Sequence, residues 1–144
     1  VLMLMGNQQV SAVFFWLMAA AAALSAAYGL YARIWRTPHR ASWKLQRISG
    51  AFLLVMVPAH FLFMHLNPQV AKDAGQVVLR LQNLWVKLVD MALLASALYH
   101  GSYGLISILT DYAASKALRV VGMAAIIVAM LVAAWAGIKL IVLI

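Results

Sequence analysis

The chain has 144 residues, of which 67% are hydrophobic and only 10% are charged. A water-soluble domain of this length needs a polar surface, which eleven basic and three acidic residues cannot supply, so a soluble enzyme is excluded. The lipid bilayer is therefore the expected solvent. The net charge of +8 does not indicate nucleic-acid binding, because the basic residues lie mostly between apolar runs and not in one patch.

Four apolar runs are each long enough to cross a bilayer as a helix, since about 20 residues span its ~30 Å hydrocarbon core. We predict membrane spans at about residues 11–33, 48–66, 84–110 and 118–140. A short amphipathic helix is predicted at about residues 74–84. The expected fold is an all-α integral membrane bundle that forms a single domain over residues 1–144. The first ten residues lack a basic segment and a cleavage motif, so we do not interpret them as a signal peptide.

The charge pattern predicts which ends of these spans face the cytoplasm. The loop 33–47 carries five basic residues and no acidic one, namely Arg33, Arg36, Arg40, Lys44 and Arg47. By the positive-inside rule this loop is cytoplasmic, which places a multi-pass protein in the cytoplasmic (inner) membrane with both termini outside. The loop also offers a cationic surface to an acidic partner or to anionic lipid.

Ionisable side chains inside a span are costly unless they are paired, hydrated or ligated, and this chain has few of them. At ~1.5 Å per residue, His60 lies ~20 Å beyond Arg47, and His100 lies ~16 Å before Asp111. Both histidines are therefore deep in the membrane. Cysteine is absent from the sequence, so a metal cofactor would have to be held by other side chains. Two imidazoles on different spans fit axial ligands of a b-type haem.

Other roles stay open for each of these residues. Intramembrane histidines also serve as helix contacts and proton relays, and either role would suit His100. His60 follows Pro58, so it is alternatively a hydrogen-bond partner of a carbonyl that the proline frees. Asp90 is a candidate proton-relay carboxyl or an ion-pair partner of Lys87, three residues earlier on the same helix face.

Hydrogen-bonding groups also gather where the second and third spans reach the cytoplasm. They are Trp43, Lys44, Arg47, Ser49, Asp111 and Tyr112. A tyrosine hydroxyl or a cation can stabilise the developing oxyanion of a quinone carbonyl, and serine or aspartate can help to move protons. The alternative interpretation is an ordinary belt of aromatic and charged residues at the lipid headgroups.

The motifs occur in an order that resembles a known family. They are Arg47-Ile48-Ser49-Gly50, then His60, then Leu98-Tyr99-His100-Gly101 with Gly104, then Leu109-Thr110-Asp111-Tyr112. From about Trp43 to Arg119, roughly half of the chain, the sequence resembles the membrane-anchor subunits of succinate dehydrogenase and fumarate reductase, most of all the small cytochrome b anchor. That anchor has three spans, so the first span here is expected to be an extra N-terminal helix used for packing or oligomer contacts.

The resemblance implies a set of cofactors and site residues. His100 would be an axial ligand of a haem b near the iron–sulfur subunit, and His60 would ligate a second, more distal haem. Tyr112 would donate to the quinone, with Arg47, Ser49 and Asp111 in the same pocket. The quinone would be ubiquinone or menaquinone.

The resemblance also implies the partners. The chain would anchor a flavoprotein subunit and an iron–sulfur subunit, and a second membrane-anchor chain would supply the other haem ligand. A higher oligomer of the complex is compatible with this arrangement, and lipid is a further partner. The chain has no flavin site, so it would be a subunit of succinate:quinone oxidoreductase without catalytic activity of its own.

Two other functions fit the same features. One is a cytochrome b-type anchor of another membrane dehydrogenase or of a hydrogenase, which would also bind haem. The other is a non-redox helical membrane protein in which His60, Asp90 and His100 relay protons. Reduced-haem absorbance separates the second function from the first, and the co-purifying partner separates the dehydrogenases from one another.

Overall fold

The computed structural model describes residues 2–68 and 72–143, with side chains from residue 12 onward except at 76, 79–81 and 143. The helices are α1 (Leu2–Ile34), α2 (Ala41–Leu66), α3 (Ala74–Leu81), α4 (Leu84–Tyr112) and α5 (Lys116–Leu143). No strand occurs in this part of the chain. The expected all-α fold class is confirmed.

Among the described residues, four helices are long and apolar enough to cross a membrane, as expected for an integral membrane bundle. Their candidate spans are Ala12–Ile34, Ala41–Leu66, Leu84–Tyr112 and Lys116–Val142. The remaining helix, α3, is short and lies where the sequence predicts an amphipathic helix. The chain divides into two compact units, Val1–Leu62 and Phe63–Ile144.

In the first unit, α1 and α2 are joined by a short turn. α1 ends at Ile34, whose carbonyl accepts hydrogen bonds from the backbone N–H of Thr37 (3.0 Å) and from the Thr37 hydroxyl (2.6 Å). Pro38 follows and cannot continue the helix. α2 begins at Ala41, seven residues before the predicted span, because a helix can extend beyond the hydrocarbon core into the headgroup layer.

One face of α2 is more covered than the other. Met56 is only 1% exposed, and Phe63, seven residues later, is also buried. Residues seven apart lie on one helix face, and His60, between them, is half-buried on that same face. Pro58 lies inside the helix, where it has no N–H to donate to the carbonyl of Leu54.

In the second unit, α4 and α5 form an antiparallel pair whose register is defined by glycines. A Cβ built on Gly137 would lie 2.7 Å from Cδ2 of Leu94, and one on Gly122 would lie 2.7 Å from Cδ2 of Leu109. The two leucines are fifteen residues apart, and so are the two glycines. Each leucine therefore fills the space that a glycine leaves open, and the two contacts belong to one register.

Few side chains are buried. Among the described residues they are Ala23, Met56, Phe63, Ala113 and Ile141. Large apolar side chains are exposed on every long helix, as expected for surfaces that contact lipid or other membrane subunits and not water.

Candidate functional site

His60 lies in the second half of α2. It is six residues, or ~9 Å, from the last residue of the helix and nineteen residues, or ~28 Å, from the first. Its ring centroid is 6.5 Å from that of Phe61, with the planes at 82°. The imidazole is thus held among apolar groups near the end of the helix opposite the basic turn.

A second aromatic ring approaches His60 from α1. The ring centroid of Trp16 lies 6.2 Å from that of His60, with the planes inclined at 53°. The sequence gives no signal for this contact, because Trp16 is one of several aromatic residues in an apolar run. The first span is therefore more than a lipid-facing helix, since it contributes a side chain to the surroundings of a candidate ligand.

His100 lies near the middle of α4, twelve residues or ~18 Å before Tyr112 and sixteen residues or ~24 Å after Leu84. It is half-buried. Gly101, the next residue, faces α5, because a Cβ there would lie 3.8 Å from Cε of Met130. Successive helical residues differ by about 100° around the axis, so His100 does not face α5.

The helix around His100 is lined by polar aromatic residues. The rings of Tyr99 and Tyr103, one turn apart, are stacked with centroids 6.2 Å apart. The Ser102 hydroxyl donates to the carbonyl of Tyr99 at 3.2 Å, so it is satisfied within the helix. Bonds of this kind let a polar side chain remain inside a span at low cost.

Asp90 is half-buried near the start of α4. The α4–α5 register places it opposite Ile141, which is buried. It lies ten residues, or ~15 Å, before His100 along the helix. Its role as a proton relay stays a prediction.

The basic end of α2 brings together two of the predicted quinone-site residues. The guanidinium carbon of Arg47 lies 4.9 Å from the ring centroid of Trp43, which precedes it by one turn. This cation–π contact holds a delocalised positive charge against a half-buried aromatic ring.

Ser49 is close to Arg47 in sequence but lies on another face of α2. Two residues correspond to about 200° of rotation, which puts Ser49 on nearly the opposite side of the helix from Arg47. Ser49 is instead on the covered face that carries Met56 and His60, and its hydroxyl donates to the carbonyl of Gln46 at 3.0 Å.

Asp111 and Tyr112 end α4, and both are exposed; the exposed fraction of Tyr112 is 84%. The helix is capped by Ala113, whose N–H donates to the carbonyl of Leu109 at 2.9 Å. The phenol of Tyr112 thus stands at a helix end, where a membrane-soluble molecule can reach it.

Three further residues lie at or near the turn between α1 and α2 or the turn between α4 and α5. The guanidinium Nε of Arg119 donates to the carbonyl of Ala113 at 3.1 Å, and the register places Arg119 opposite Tyr112. Lys44 donates to the carbonyl of Trp35 at 2.6 Å and lies 5.4 Å from its ring centroid. The ring of His39 lies 4.2 Å from that of Trp43. The sequence does not indicate these contacts: His39 and Arg119 look like ordinary solvated residues near a turn, and Lys44 is predicted only as one of the hydrogen-bonding groups at the cytoplasmic boundary.

The described residues contain no group of three or more side chains of the kind that holds a bare metal ion. Iron in a porphyrin has a different requirement, since the macrocycle supplies four ligands and the protein supplies only axial ones. Single imidazoles on apolar helices, such as His60 and His100, fit that requirement.

One comparison with known proteins gave a match. A family model described as succinate dehydrogenase/fumarate reductase transmembrane subunit matches residues 18–138. The range begins inside α1 and includes His60, His100 and Tyr112. No curated protein and no solved structure matched the chain.

Proposed function

The chain belongs to the transmembrane subunits of succinate dehydrogenase and fumarate reductase, and we propose that it binds haem b and helps to form the quinone site of such a complex. The observation that carries the proposal is the position of His100. This imidazole lies at mid-span and is half-buried, about 100° around α4 from the face that Gly101 presents to α5, within the residues that the family model matches.

His100 would be one axial ligand of a haem b. An imidazole in its neutral form has an unprotonated nitrogen that can bind iron. Haem b, when bound, takes up and passes on single electrons. His100 would hold it ~18 Å along α4 from Tyr112, together with a histidine of a second anchor chain.

His60 would ligate a second haem, farther from the catalytic subunits. Two features support this assignment. The residue is on the covered face of α2, and it lies ~9 Å from the helix end opposite the basic turn. The second anchor chain would then supply the other histidine for each haem.

The quinone-binding residues of this chain would be those near the start of α2 and those at the end of α4, each group within its own unit. Reduction of a quinone to a quinol takes two electrons and two protons, so the site needs hydrogen-bond donors and a route for protons. Tyr112 would donate to a quinone carbonyl, and Arg47 would stabilise the negative charge that develops there. Trp43 would orient Arg47, and Asp111 would assist proton transfer. Ser49 lies on another face of α2, so it would assist only a quinone that reaches that face as well.

The orientation follows from charge and from the alternation of spans. The turn 35–40 is flanked by basic residues, and four crossings would bring the turn 113–115 to the same side of the membrane. That side would be cytoplasmic and would receive the flavoprotein and iron–sulfur subunits. Electrons would arrive from the iron–sulfur subunit, and the chain would carry no dehydrogenase activity of its own.

The test is the haem content of the purified complex. We expect a reduced b-type absorbance band and a haem-to-flavin ratio of one or two by the pyridine haemochrome method. His100→Ala should remove one haem per complex, because the iron loses an axial ligand. The control is His65→Ala, since His65 is exposed near the end of α2.

Two results would contradict the proposal. A complex without b-type haem would leave only the anchoring role, and an unchanged haem content in His100→Ala would remove this residue from the ligand set. The family match disfavours an anchor for another dehydrogenase and a proton-relay protein, because it covers all four candidate spans at least in part.

A further inference from the structure

Trp16 differs from its neighbours on α1 in how it is oriented. It is half-buried, whereas the exposed fractions of Phe14 and Leu17 are 65% and 64%. Phe15 packs edge-on against it, with ring centroids 5.5 Å apart and planes at 87°. The indole is therefore turned toward the protein and supported by a second ring, while the flanking apolar residues face outward.

The contact between Trp16 and His60 is consistent with an antiparallel pairing of α1 and α2. Trp16 lies eighteen residues before the end of α1 at Ile34, and His60 lies nineteen residues after the start of α2 at Ala41. At ~1.5 Å per residue both are 27–29 Å along their helices from the connecting turn, so the two rings are level.

Two aromatic rings among the described residues lie near the imidazole of His60, those of Trp16 and Phe61. Phe61 is adjacent in sequence, exposed, and meets the imidazole edge-on at 6.5 Å. Neighbouring positions on a helix point about 100° apart, so Phe61 cannot cover the face of the imidazole. Pro58 also removes one backbone hydrogen bond from the turn that carries His60. Of these two rings, that of Trp16 is therefore the one that contacts the imidazole of His60 from another helix.

We infer that Trp16 is a positioning residue for His60. The indole limits the rotation of the imidazole and excludes water from it, so that an iron bound there has a fixed imidazole plane and an apolar surrounding. This inference rests on the proposed ligation of haem by His60. Trp16 lies two residues before the range that the family model matches.

The expected consequence is a change in the properties of one haem, with the haem retained. Without the indole, water reaches the imidazole and favours the ferric form, which carries more positive charge, so the midpoint potential falls. Without the indole, the imidazole of His60 can also rotate more freely and adopt a wider range of ring orientations. The low-spin electron paramagnetic resonance signal of the haem should therefore broaden. If Trp16 had a purely structural role, substituting phenylalanine for it would not restore the potential and the signal.

The experiment compares four variants of the assembled complex. They are Trp16→Leu, Trp16→Phe, Phe14→Leu and His60→Ala. Haem is counted per flavin, each haem is titrated optically against potential, and the ferric signal is recorded. If Trp16→Leu does not accumulate, Trp16→Met replaces it, because methionine keeps a flexible apolar side chain without a ring.

The inference predicts a distinct pattern. Trp16→Leu should keep its haem but lower the potential of one haem and broaden its signal, and Trp16→Phe should restore both toward the unmodified complex. Phe14→Leu should change nothing, since Phe14 faces outward on the same helix. Unchanged potential and signal in Trp16→Leu, or equal shifts in Phe14→Leu, would overturn the inference.

The His60→Ala variant separates the two levels of the argument. Loss of one haem in His60→Ala together with unaltered properties in Trp16→Leu would overturn the positioning role alone. A full haem content in His60→Ala would remove His60 from the ligand set and with it the role of Trp16, while leaving the assignment of His100 intact.

Discussion

Gly137 of α5 lies so close to Leu94 of α4 that a Cβ on the glycine would come within 2.7 Å of the leucine Cδ2. The same arrangement recurs fifteen residues away on each helix, between Gly122 and Leu109. Large side chains fitted against glycines let two helices approach closely, which is how helices associate in lipid without a hydrophobic driving force.

Gly137→Ile should weaken the α4–α5 pairing. The added side chain must displace Leu94, and overpacking of this kind costs about 1–3 kcal/mol. The unfolding free energy in detergent, followed by circular dichroism, measures the loss. Gly29→Ile is the control, because nothing lies within 4 Å of a Cβ at that position. Adding Leu94→Ala to Gly137→Ile should recover part of the loss, and the absence of any recovery would show that the two residues do not act through their contact.

Tyr112→Phe should slow quinone reduction while leaving the haem spectrum unchanged. The phenol is expected to donate to a carbonyl that gains negative charge, and loss of such a bond costs about 1.5–3 kcal/mol, or roughly ten- to a hundredfold in rate. Succinate-driven reduction of a soluble quinone is the measurement. Tyr28→Phe serves as the control, since Tyr28 is equally an exposed tyrosine but lies on α1. An unaltered rate would remove Tyr112 from the site.

Trp43→Leu should raise the KM for quinone about two- to fivefold. The ring holds the Arg47 guanidinium at 4.9 Å, and an exposed cation–π contact contributes about 0.5–1 kcal/mol. Trp35→Leu is a matched control, because Trp35 has its own cation partner in Lys44. Equal effects of the two substitutions would indicate a general disturbance of the basic end and no specific role for Trp43.

Arg119→Met should destabilise the turn between α4 and α5 by about 1 kcal/mol, because the carbonyl of Ala113 loses the bond from Nε. The cooperative unfolding midpoint should fall, while haem content should not. Lys116→Met removes a charge from the same helix end and should have a smaller effect. If both substitutions lowered the midpoint equally, the loss of charge and not the hydrogen bond would be responsible.

Hydropathy alone predicts four spans, because lipid compatibility is a property of each run by itself. It does not give the start of α2 at Ala41, since cations such as Lys44 and Arg47 end an apolar run without ending a helix. Hydrogen bonding defines the helix, and the transfer of side chains to lipid defines the span. The two boundaries differ wherever a helix rises above the membrane surface.

The sequence indicates which residues are candidates for the site but not which of them pair. Histidines inside a span stand out because their desolvation is costly. Which ring meets His60 depends on how α1 and α2 pair, and the periodicity of an all-apolar helix carries no face to indicate it. Sequence spacing likewise suggests that Ser49 and Arg47 act together, although helical rotation puts them on different sides of α2.

Few side chains are buried in the part of the chain whose side chains the structure describes, so the stability of the protein depends on what binds to its surface. A folded state with so little interior of its own gains free energy mainly from whatever covers its outer faces, so an agent that binds only the assembled form stabilises it by mass action. The unfolding midpoint should therefore depend on the concentration of partner subunits and on the detergent. No single melting temperature characterises the isolated chain.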